Sequence, residues 1–325
     1  MEEIFKSLTN LIKKYDSFII MSHKNMDLDG LGASLALSSI IQSFKKNCYI
    51  FMDRRPKNSS ITKSLLKLKK NNLDTNFIYR TNYNTILSEN NNTLLIILDT
   101  HKKQMIEYEN ILSKVKDVVI LDHHIKNNNY IKDTILSYIN SNVSSTIEII
   151  VNYLKYLNKE VDSLYATIML AGIFIDTNSF NIKTGEKTYE AAAYLTKMGA
   201  DNVLKQELLK EDKKDYLERQ AFIKNSYMIN EKMALCIMDD NVHQSEQLAK
   251  ISEELLQFDN VEASFTIGYI ADKKMGISAR SIGKIDVEEI MVKLGGGGHK
   301  TDAAAQFMDL TVEEVKTKLL DIIKR

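Results

Sequence analysis

The sequence predicts an α/β protein, with a parallel sheet covered by helices on both faces and a second, smaller α/β domain. Short apolar segments rich in β-branched residues alternate with segments of helical apolar spacing over the first two thirds of the chain. Such alternation is typical of parallel sheets, because a helix connects each strand to the next. A chain of 325 residues is also long enough for two domains.

The first two thirds of the chain contain strands and helices in turn. Apolar spacing predicts a helix over residues 2–15, and the run Phe18–Ser22 predicts the first strand. Ser145 and Glu148 form a capping box at the start of a later helix. The other predicted elements are helices at 31–44, 61–70, 103–114, 145–157, 163–175, 188–198 and 202–209, strands at 49–52, 94–98 and 118–121, and a polar connection at 71–92.

The last third of the chain changes character after a highly charged segment that begins at Glu211. No Gly/Pro linker marks a boundary, which is placed near 225–230. The elements predicted beyond it are strands at 233–238, 261–270 and 275–281 and helices at 245–256, 286–293 and 311–323. The prediction is a catalytic domain over 1–200, a helical linker over 201–229 and a substrate-binding domain over 230–325.

Composition excludes several classes of protein. Lys+Arg and Asp+Glu both number 43, and a net charge of zero argues against a protein that binds long nucleic acid through its phosphates, with a local basic cleft left open. Cys48 and Cys236 form no CxxC pair, so neither a disulfide framework nor a thiolate zinc site is expected. Apolar runs are too short for a membrane segment, and the amino end does not resemble a signal peptide. The expected location is the cytoplasm.

Acidic residues and histidines follow several of the apolar segments. A strand that runs into an acid and two imidazoles is unusual, since a core needs none of them. The side chains concerned are His23, Asp27 and Asp29 after residues 18–22, Asp99 after 94–98, Asp122, His123 and His124 after 118–121, and Asp176 after 171–175. Because the carboxyl ends of parallel strands share one edge of a sheet, these strand ends are predicted to converge there.

The convergent side chains predict a centre for two metal ions. Nitrogen and oxygen ligands without a thiolate suit Mn²⁺ or Mg²⁺ better than structural zinc. The six ligands His23, Asp27, Asp29, Asp99, His123 and Asp176 are too many for one catalytic ion and enough for two if one carboxylate bridges. Asp99 is expected to bridge the two ions, because it stands at the end of a central strand. The alternative for Asp27 and Asp29 is an ordinary turn or helix N-cap.

A second group of residues has the chemistry to bind phosphate or ribose. Four consecutive glycines, including Gly296, Gly297 and Gly298, let backbone N–H groups approach an anion, and His299 adds a donor. The alternative is a flexible loop. Ser144 and Ser145 stand at a helix N-terminus that could face a phosphate, or they only cap that helix. Arg280 could hold a phosphate, and a surface arginine is its alternative.

These motifs, in order, resemble those of the DHH phosphoesterase superfamily. His23-Lys24-x-x-Asp27-x-Asp29, Asp99-Thr100-His101, Asp122-His123-His124 and Asp176-Thr177 resemble its catalytic domain, and Leu294–His299 resembles its DHH-associated (DHHA1) domain. Several stretches look most like the catalytic portion of the GdpP-type cyclic di-AMP phosphodiesterases. Ile125 stands where a basic residue often follows the two histidines, and Gly30 stands where alanine is expected.

The resemblance implies an active site in the cleft between the domains and two Mn²⁺ ions, with Mg²⁺ or another divalent ion as the alternative. His23, Asp27 and Asp99 would hold one ion, and Asp29, Asp99, His123 and Asp176 the other. Asp122 and His124 would lie behind the ligands or against the scissile phosphate. Ser144, Ser145, Arg280, Gly296–Gly298 and His299 would bind substrate.

The implied function is hydrolysis of cyclic di-AMP to linear pApA. An NrnA-like nanoRNase or pAp phosphatase and, less favoured, an inactive nucleotide sensor are the alternatives. The expected partners are therefore a cyclic or short linear dinucleotide, and a homodimer is left open. So is the question whether the chain is a stand-alone enzyme or the catalytic part of a membrane-anchored protein.

Overall fold

The computed structural model describes residues 1–52, 56, 58–73, 76–89, 92–126 and 130–324. The chain forms two compact units, Met1–Lys210 and Glu211–Arg325. In the part of the chain that is described, no helix is both long enough and apolar enough to cross a bilayer.

The first unit is built on a parallel sheet of six strands in the order β3-β2-β1-β4-β5-β6. The predicted parallel sheet is therefore confirmed. Its strands are β1 (Ser17–Met21), β2 (Asn47–Phe51), β3 (Phe77–Ile78), β4 (Thr93–Leu98), β5 (Asp117–Asp122) and β6 (Leu136–Ile139). Its helices are α1 (Glu2–Lys14), α2 (Leu28–Ser43), α3 (Ser59–Lys70), α4 (Tyr83–Glu89), α5 (Thr146–Leu157), α6 (Ser163–Asp176), α7 (Glu186–Lys197) and α8 (Asn202–Leu209).

Both faces of this sheet are covered, which explains why its central strands are continuously apolar. Phe18 and Ile20 of β1 belong to the core that also contains residues of α1, α2 and α5. Ile19 and Met21 point to the opposite core, which includes Tyr83 of α4. All residues of β1 and β4 are buried.

Two connections differ from the prediction. The helix predicted at 103–114 is wrong: the chain makes two short 3₁₀ turns, Lys103–Met105 and Glu109–Ser113. Between them Ile106 bridges to His23, and the Glu107 N–H donates to the Ser22 carbonyl over 3.0 Å, so pairing with the end of β1 replaces helical bonds. The polar connection at 71–92 contains the short elements β3 and α4.

The second unit contains a mixed sheet in the order β11-β12-β10-β9-β8-β7. β8 and β9 are parallel, and the other pairs are antiparallel. Its strands are β7 (Tyr227–Met228), β8 (Met233–Val242), β9 (Ala263–Ala271), β10 (Lys274–Ser281), β11 (Gly297–Gly298) and β12 (Asp302–Met308), and its helices are α9 (Lys213–Lys224), α10 (Ser245–Leu255), α11 (Val287–Lys293) and α12 (Val312–Ile323).

Candidate metal centre

The carboxyl ends of three neighbouring strands bring predicted ligands together. β1, β4 and β5 are adjacent in the sheet and end nearly level. His23 lies two residues beyond β1, Asp99 directly follows β4, and His123 directly follows β5. The sheet therefore delivers two imidazoles and one carboxylate to the same edge.

Asp27 combines the two roles that its sequence position allowed. Its Oδ1 accepts the N–H groups of Asp29 and Gly30, both at 3.0 Å, and so caps α2. Its Oδ2 lies 3.6 Å from His23 Nε2. One oxygen of this carboxylate is therefore structural and the other faces the cluster.

Asp99 lies at the centre of the cluster. Its Oδ2 is 3.3 Å from His23 Nε2, and its Oδ1 is 3.3 Å from His123 Nε2. Its backbone has a φ of 62°, in the left-handed region that residues other than glycine seldom adopt. The carboxylate thus turns one oxygen towards each imidazole, which is the arrangement that a bridging ligand needs.

Asp29 and Asp176 complete the group on the His123 side. His123 Nε2 lies 3.7 Å from Asp29 Oδ2 and 3.4 Å from Asp176 Oδ2. The placement of Asp176 at a strand end is wrong, because it is the last residue of helix α6. The apolar segment before it belongs to that helix, which confirms the helix predicted at 163–175.

Among the described residues, three sets of His and Asp side chains each bring their potential ligand atoms within 4.8 Å of one another. Asp99 belongs to two of these sets. The sets are His23, Asp27 and Asp99; Asp29, His123 and Asp176; and Asp99, His123 and His124.

The start of α5 holds two of these carboxylates, which the sequence had not indicated. The N–H groups of Thr146 and Ile147 donate to Asp29 Oδ2 and Oδ1, both at 2.8 Å. The Thr146 hydroxyl donates to Asp99 Oδ1 over 3.1 Å. The capping box at Ser145 predicted where this helix begins. The contact between the helix start and the cluster depends on tertiary structure, which the local sequence does not indicate.

Asp122 lies behind the cluster and holds two imidazoles. Its Oδ2 is 2.5 Å from His101 Nδ1, and its Oδ1 is 2.7 Å from His124 Nδ1. Burial alone would raise the pKa of Asp122, but the hydrogen bonds from His101 and His124 outweigh it and hold the pKa well below its usual range. His101 is fully buried, whereas the His124 side chain is 43% exposed.

The electrostatics of the cluster fit bound cations. Burial, and then repulsion from neighbouring carboxylates, raises the pKa of both Asp29 and Asp176 well above the usual value. Burial would also raise the pKa of Asp99, but hydrogen bonds from His123 and His23 lower it well below that value. Buried carboxylates that repel one another are stabilised by a positive ion, and their N and O donors suit a divalent one.

Ser144 and Ser145 are buried and bonded within the first turn of α5. The Ser145 hydroxyl accepts the Glu148 N–H at 3.1 Å and caps the helix. The Ser144 hydroxyl and N–H donate to Glu148 Oε2, at 2.7 and 3.1 Å. The capping interpretation of Ser145 is therefore what the structure shows, and substrate contact by either serine stays a prediction.

The remaining predicted site residues belong to the second unit. Arg280 on β10 is ion-paired through Nε with Glu253 at 3.1 Å and with Asp302 at 3.2 Å. The glycine run is not a free loop, because Gly297 and Gly298 pair with β12 and His299 closes a turn with Asp302. Their role in substrate binding stays a prediction.

Close backbone packing requires glycine at two positions of this hairpin. A Cβ on Gly296 would lie 2.1 Å from the Ala304 carbonyl oxygen, and one on Gly298 would lie 2.3 Å from the Asp302 carbonyl oxygen. Gly298 also has a φ of 155°. Side chains at these two positions would therefore push the two strands apart.

Comparison with known proteins agrees with these motifs. Cyclic-di-AMP phosphodiesterase GdpP of Geobacillus thermodenitrificans is 37% identical over 324 residues, which are 98% of this chain and 49% of that protein. Bifunctional oligoribonuclease and PAP phosphatase NrnA of Mycoplasma genitalium is 26% identical over 310 residues, 91% of this chain and 90% of that protein. The chain thus spans about half the length of the GdpP relative.

The fold has a close counterpart among solved structures. An exopolyphosphatase-related protein from Bacteroides fragilis matches all of this chain and 96% of its own with a TM-score of 0.80 at 17% identity, which concerns the fold alone. Residues 17–173 match the model of the DHH family N-terminal domain, and residues 230–325 match that of the DHHA1 domain. The resemblance inferred from the motifs is confirmed: the chain belongs to the DHH family and carries its DHHA1 domain.

Proposed function

We propose that this protein is a phosphodiesterase that hydrolyses cyclic di-AMP to linear pApA in the cytoplasm, with two divalent cations, Mn²⁺ in the first place. The observation that carries the proposal is the position of Asp99, whose two carboxylate oxygens each lie 3.3 Å from a different histidine. A single carboxylate facing two ligand sets is the basis of a two-metal site. The similarity to GdpP, a cyclic-di-AMP phosphodiesterase, supports this choice of substrate.

The ligands divide into two sets around Asp99. His23 and Asp27 would share the first ion with Asp99, while Asp29, His123 and Asp176 would share the second with it. Two divalent ions, when bound, activate water at neutral pH and neutralise the charge that develops on a phosphate.

The buried side chains behind the ligands would fix the geometry for this chemistry. Thr146 and Ile147 orient Asp29, and Thr146 also orients Asp99. Asp122 holds His124 through Nδ1, so a protonated His124 ring presents its Nε2–H away from Asp122. His124 is the most exposed imidazole of the cluster, and we assign it to the scissile phosphate, where charge-assisted hydrogen bonds are strong.

The second unit would bind the part of the substrate that does not react. Arg280 offers a guanidinium, and the hairpin with Gly296, Gly297, Gly298 and His299 offers backbone and imidazole donors. This division assigns catalysis to residues 1–200, a helical linker to 201–229 and substrate binding to 230–325. Single substitutions of these residues can test each assigned role.

The competing function is that of a nanoRNase or pAp phosphatase. The NrnA relative supports it, because this chain matches 90% of that protein's length. Hydrolysis of cyclic di-AMP, pApA and pAp, measured side by side with Mn²⁺ and again with a chelator, separates the two. We expect cyclic di-AMP to be cleaved fastest and the chelator to stop cleavage. A strong preference for pAp would establish the competing function, and binding without turnover in excess Mn²⁺ would indicate a sensor.

A further inference from the structure

Three aromatic rings form a row beside the end of α6. Phe174 and Phe180 meet edge to face with centroids 6.0 Å apart, and Phe180 and Tyr189 stack at 5.6 Å with planes 19° apart. Phe180 packs against the main core of the first unit, whereas Tyr189 on α7 is 57% exposed. The exposed ring of Tyr189 is therefore stacked on the ring of Phe180, which the core holds in place.

Two rings of this row come before and after a predicted metal ligand along the chain. Asp176 lies between Phe174 and Phe180 in sequence, and the Ser179 N–H donates to the Phe174 carbonyl over 2.7 Å. Asn178, Ser179 and Phe180 all adopt left-handed backbone conformations, with φ of 44°, 61° and 66°. Residues other than glycine seldom adopt this conformation, although asparagine does so more often than most. The turn that they form returns Phe180 to Phe174 immediately after the predicted metal ligand.

Buried hydrogen bonds fix this turn. The fully buried Thr177 donates its hydroxyl to the Ile173 carbonyl over 2.6 Å and accepts the Phe180 N–H over 3.0 Å. The Ile182 N–H then donates to the Thr177 carbonyl over 3.0 Å. Phe180 is therefore held in place, and a ligand that uses the row would not have to order it first.

An exposed, stacked tyrosine does not by itself indicate a binding site. Tyr156 on α5 is 44% exposed and stacks on Tyr153 with planes also 19° apart. Tyr156 lies near the carboxyl end of α5, whereas Thr146 at the other end of that helix contacts the cluster. Tyr189 differs in its neighbours, because Thr188, the residue before it, donates its hydroxyl to Glu148 over 2.9 Å, in the same first turn of α5 as Thr146.

We propose that the exposed face of Tyr189, backed by Phe180, stacks the base of a nucleotide whose phosphate reaches the Asp/His cluster. Aromatic side chains bind bases of any sequence through their faces. The ligand class is thus a nucleoside phosphate, and the row is a base subsite within the amino-terminal unit. The identity of the nucleotide that binds there in the cell rests on the proposed function. The subsite itself can be tested by measurements of binding alone.

The test compares AMP with ribose 5-phosphate, which carries a hydroxyl group where AMP carries adenine. Calorimetric titration with Mn²⁺ present should show AMP binding to the native protein about 10-fold more tightly, as expected for one stacked base. Tyr189→Ala should weaken AMP binding about 10-fold and leave ribose 5-phosphate unchanged. Tyr189→Phe should keep the preference for AMP, and Tyr156→Ala is the matched control that should alter neither ligand.

Several outcomes would overturn the base subsite. These are equal binding of the two ligands to the native protein, binding of neither, or unchanged AMP binding in Tyr189→Ala. If the subsite fails while cyclic di-AMP is still cleaved, the proposed function stands. If Tyr189→Ala loses the preference for AMP but the native protein cleaves no cyclic di-AMP, the subsite stands and the proposed substrate is wrong.

Discussion

The hydroxyl of Thr146 donates to Oδ1 of Asp99 over 3.1 Å, while the N–H of the same residue donates to Asp29. One residue at the start of α5 thus holds two carboxylates of the cluster. The hydroxyl bond limits the rotation of Asp99, whose two oxygens face different imidazoles. Residues behind a metal ligand commonly determine its orientation and the affinity for the ion.

Thr146→Val should weaken Mn²⁺ binding about 10-fold, the lower end of what such supporting residues contribute. Valine keeps the shape of threonine and the backbone N–H to Asp29, so only the bond to Asp99 is lost. Thr146→Ser keeps the hydroxyl and should bind Mn²⁺ like the native protein. Titration calorimetry on metal-free protein measures both variants, and equal affinity in Thr146→Val would show that the bond is incidental.

Asp99→Asn should lower cyclic di-AMP hydrolysis by more than about 100-fold, beyond the loss typical of a residue that only orients a ligand. A neutral amide cannot serve two cations as a bridging carboxylate does. Thermal unfolding should stay close to native, which separates lost chemistry from a lost fold. The matched control is Asp16→Asn, an exposed residue at the opposite end of β1, which should keep native rates. Native rates in Asp99→Asn would refute the bridging assignment.

Gly30→Ala should destabilise the protein by about 1–3 kcal/mol through overpacking. A Cβ at Gly30 would lie 2.3 Å from the buried Ser22 Oγ, which has no hydrogen-bond partner among the described residues. Removing that hydroxyl makes room, so the double variant with Ser22→Ala should recover most of the loss. Urea unfolding of the native protein, both single variants and the double variant gives the coupling free energy between the two positions. If the changes in the free energy of unfolding are additive, the two positions are independent.

Both cysteine thiols should resist alkylation in the folded protein. Cys48 and Cys236 are buried, and burial raises the pKa of each to about 12 from 9.0. The thiols are harder to deprotonate in the folded protein than in the unfolded chain. Their contribution to the free energy of unfolding is therefore complete below pH 9.0 and is lost as the pH rises towards 12. Ellman's reagent at pH 8 should label neither thiol in native protein and both in denaturant. Fast labelling without denaturant would contradict their burial.

His299→Ala should raise the KM for cyclic di-AMP and leave the bound Mn²⁺ unchanged. The residue lies in the turn between β11 and β12 of the second unit, and we assign it to substrate. Steady-state kinetics and metal analysis of the same sample measure the two quantities. Loss of manganese in this variant would move His299 from substrate binding to metal binding.

Central strands were predictable because burial on both faces makes them continuously apolar. β1, β4 and β5 each lie within one residue of the predicted range at either end. The half-exposed β6 was not predicted, since its mixed sequence, Leu-Ser-Tyr-Ile, has no continuous apolar run. The helix expected at 103–114 failed because pairing of Ile106 with His23 is a tertiary interaction that local spacing does not encode.

The cluster was also predictable in part. Polar residues after apolar segments identified His23, Asp99 and His123, because strand ends in a parallel sheet converge. Thr146 was missed, since a threonine at a helix start is ordinary and its partners lie 47 and 117 positions away. The aromatic row was missed for a similar reason, because its rings meet through a left-handed turn that sequence spacing does not reveal.

The hydrogen bonds that Asp27 and Asp29 accept also bear on which ions we expect the cluster to prefer. Oδ1 of Asp27 receives two N–H groups, which use both of its lone pairs, and each oxygen of Asp29 receives one, so fewer acceptor sites remain for an ion. Calcium prefers many oxygen ligands and often a bidentate carboxylate, whereas smaller ions accept octahedral sites with single contacts. We therefore expect these backbone hydrogen bonds to make the cluster prefer ions smaller than calcium.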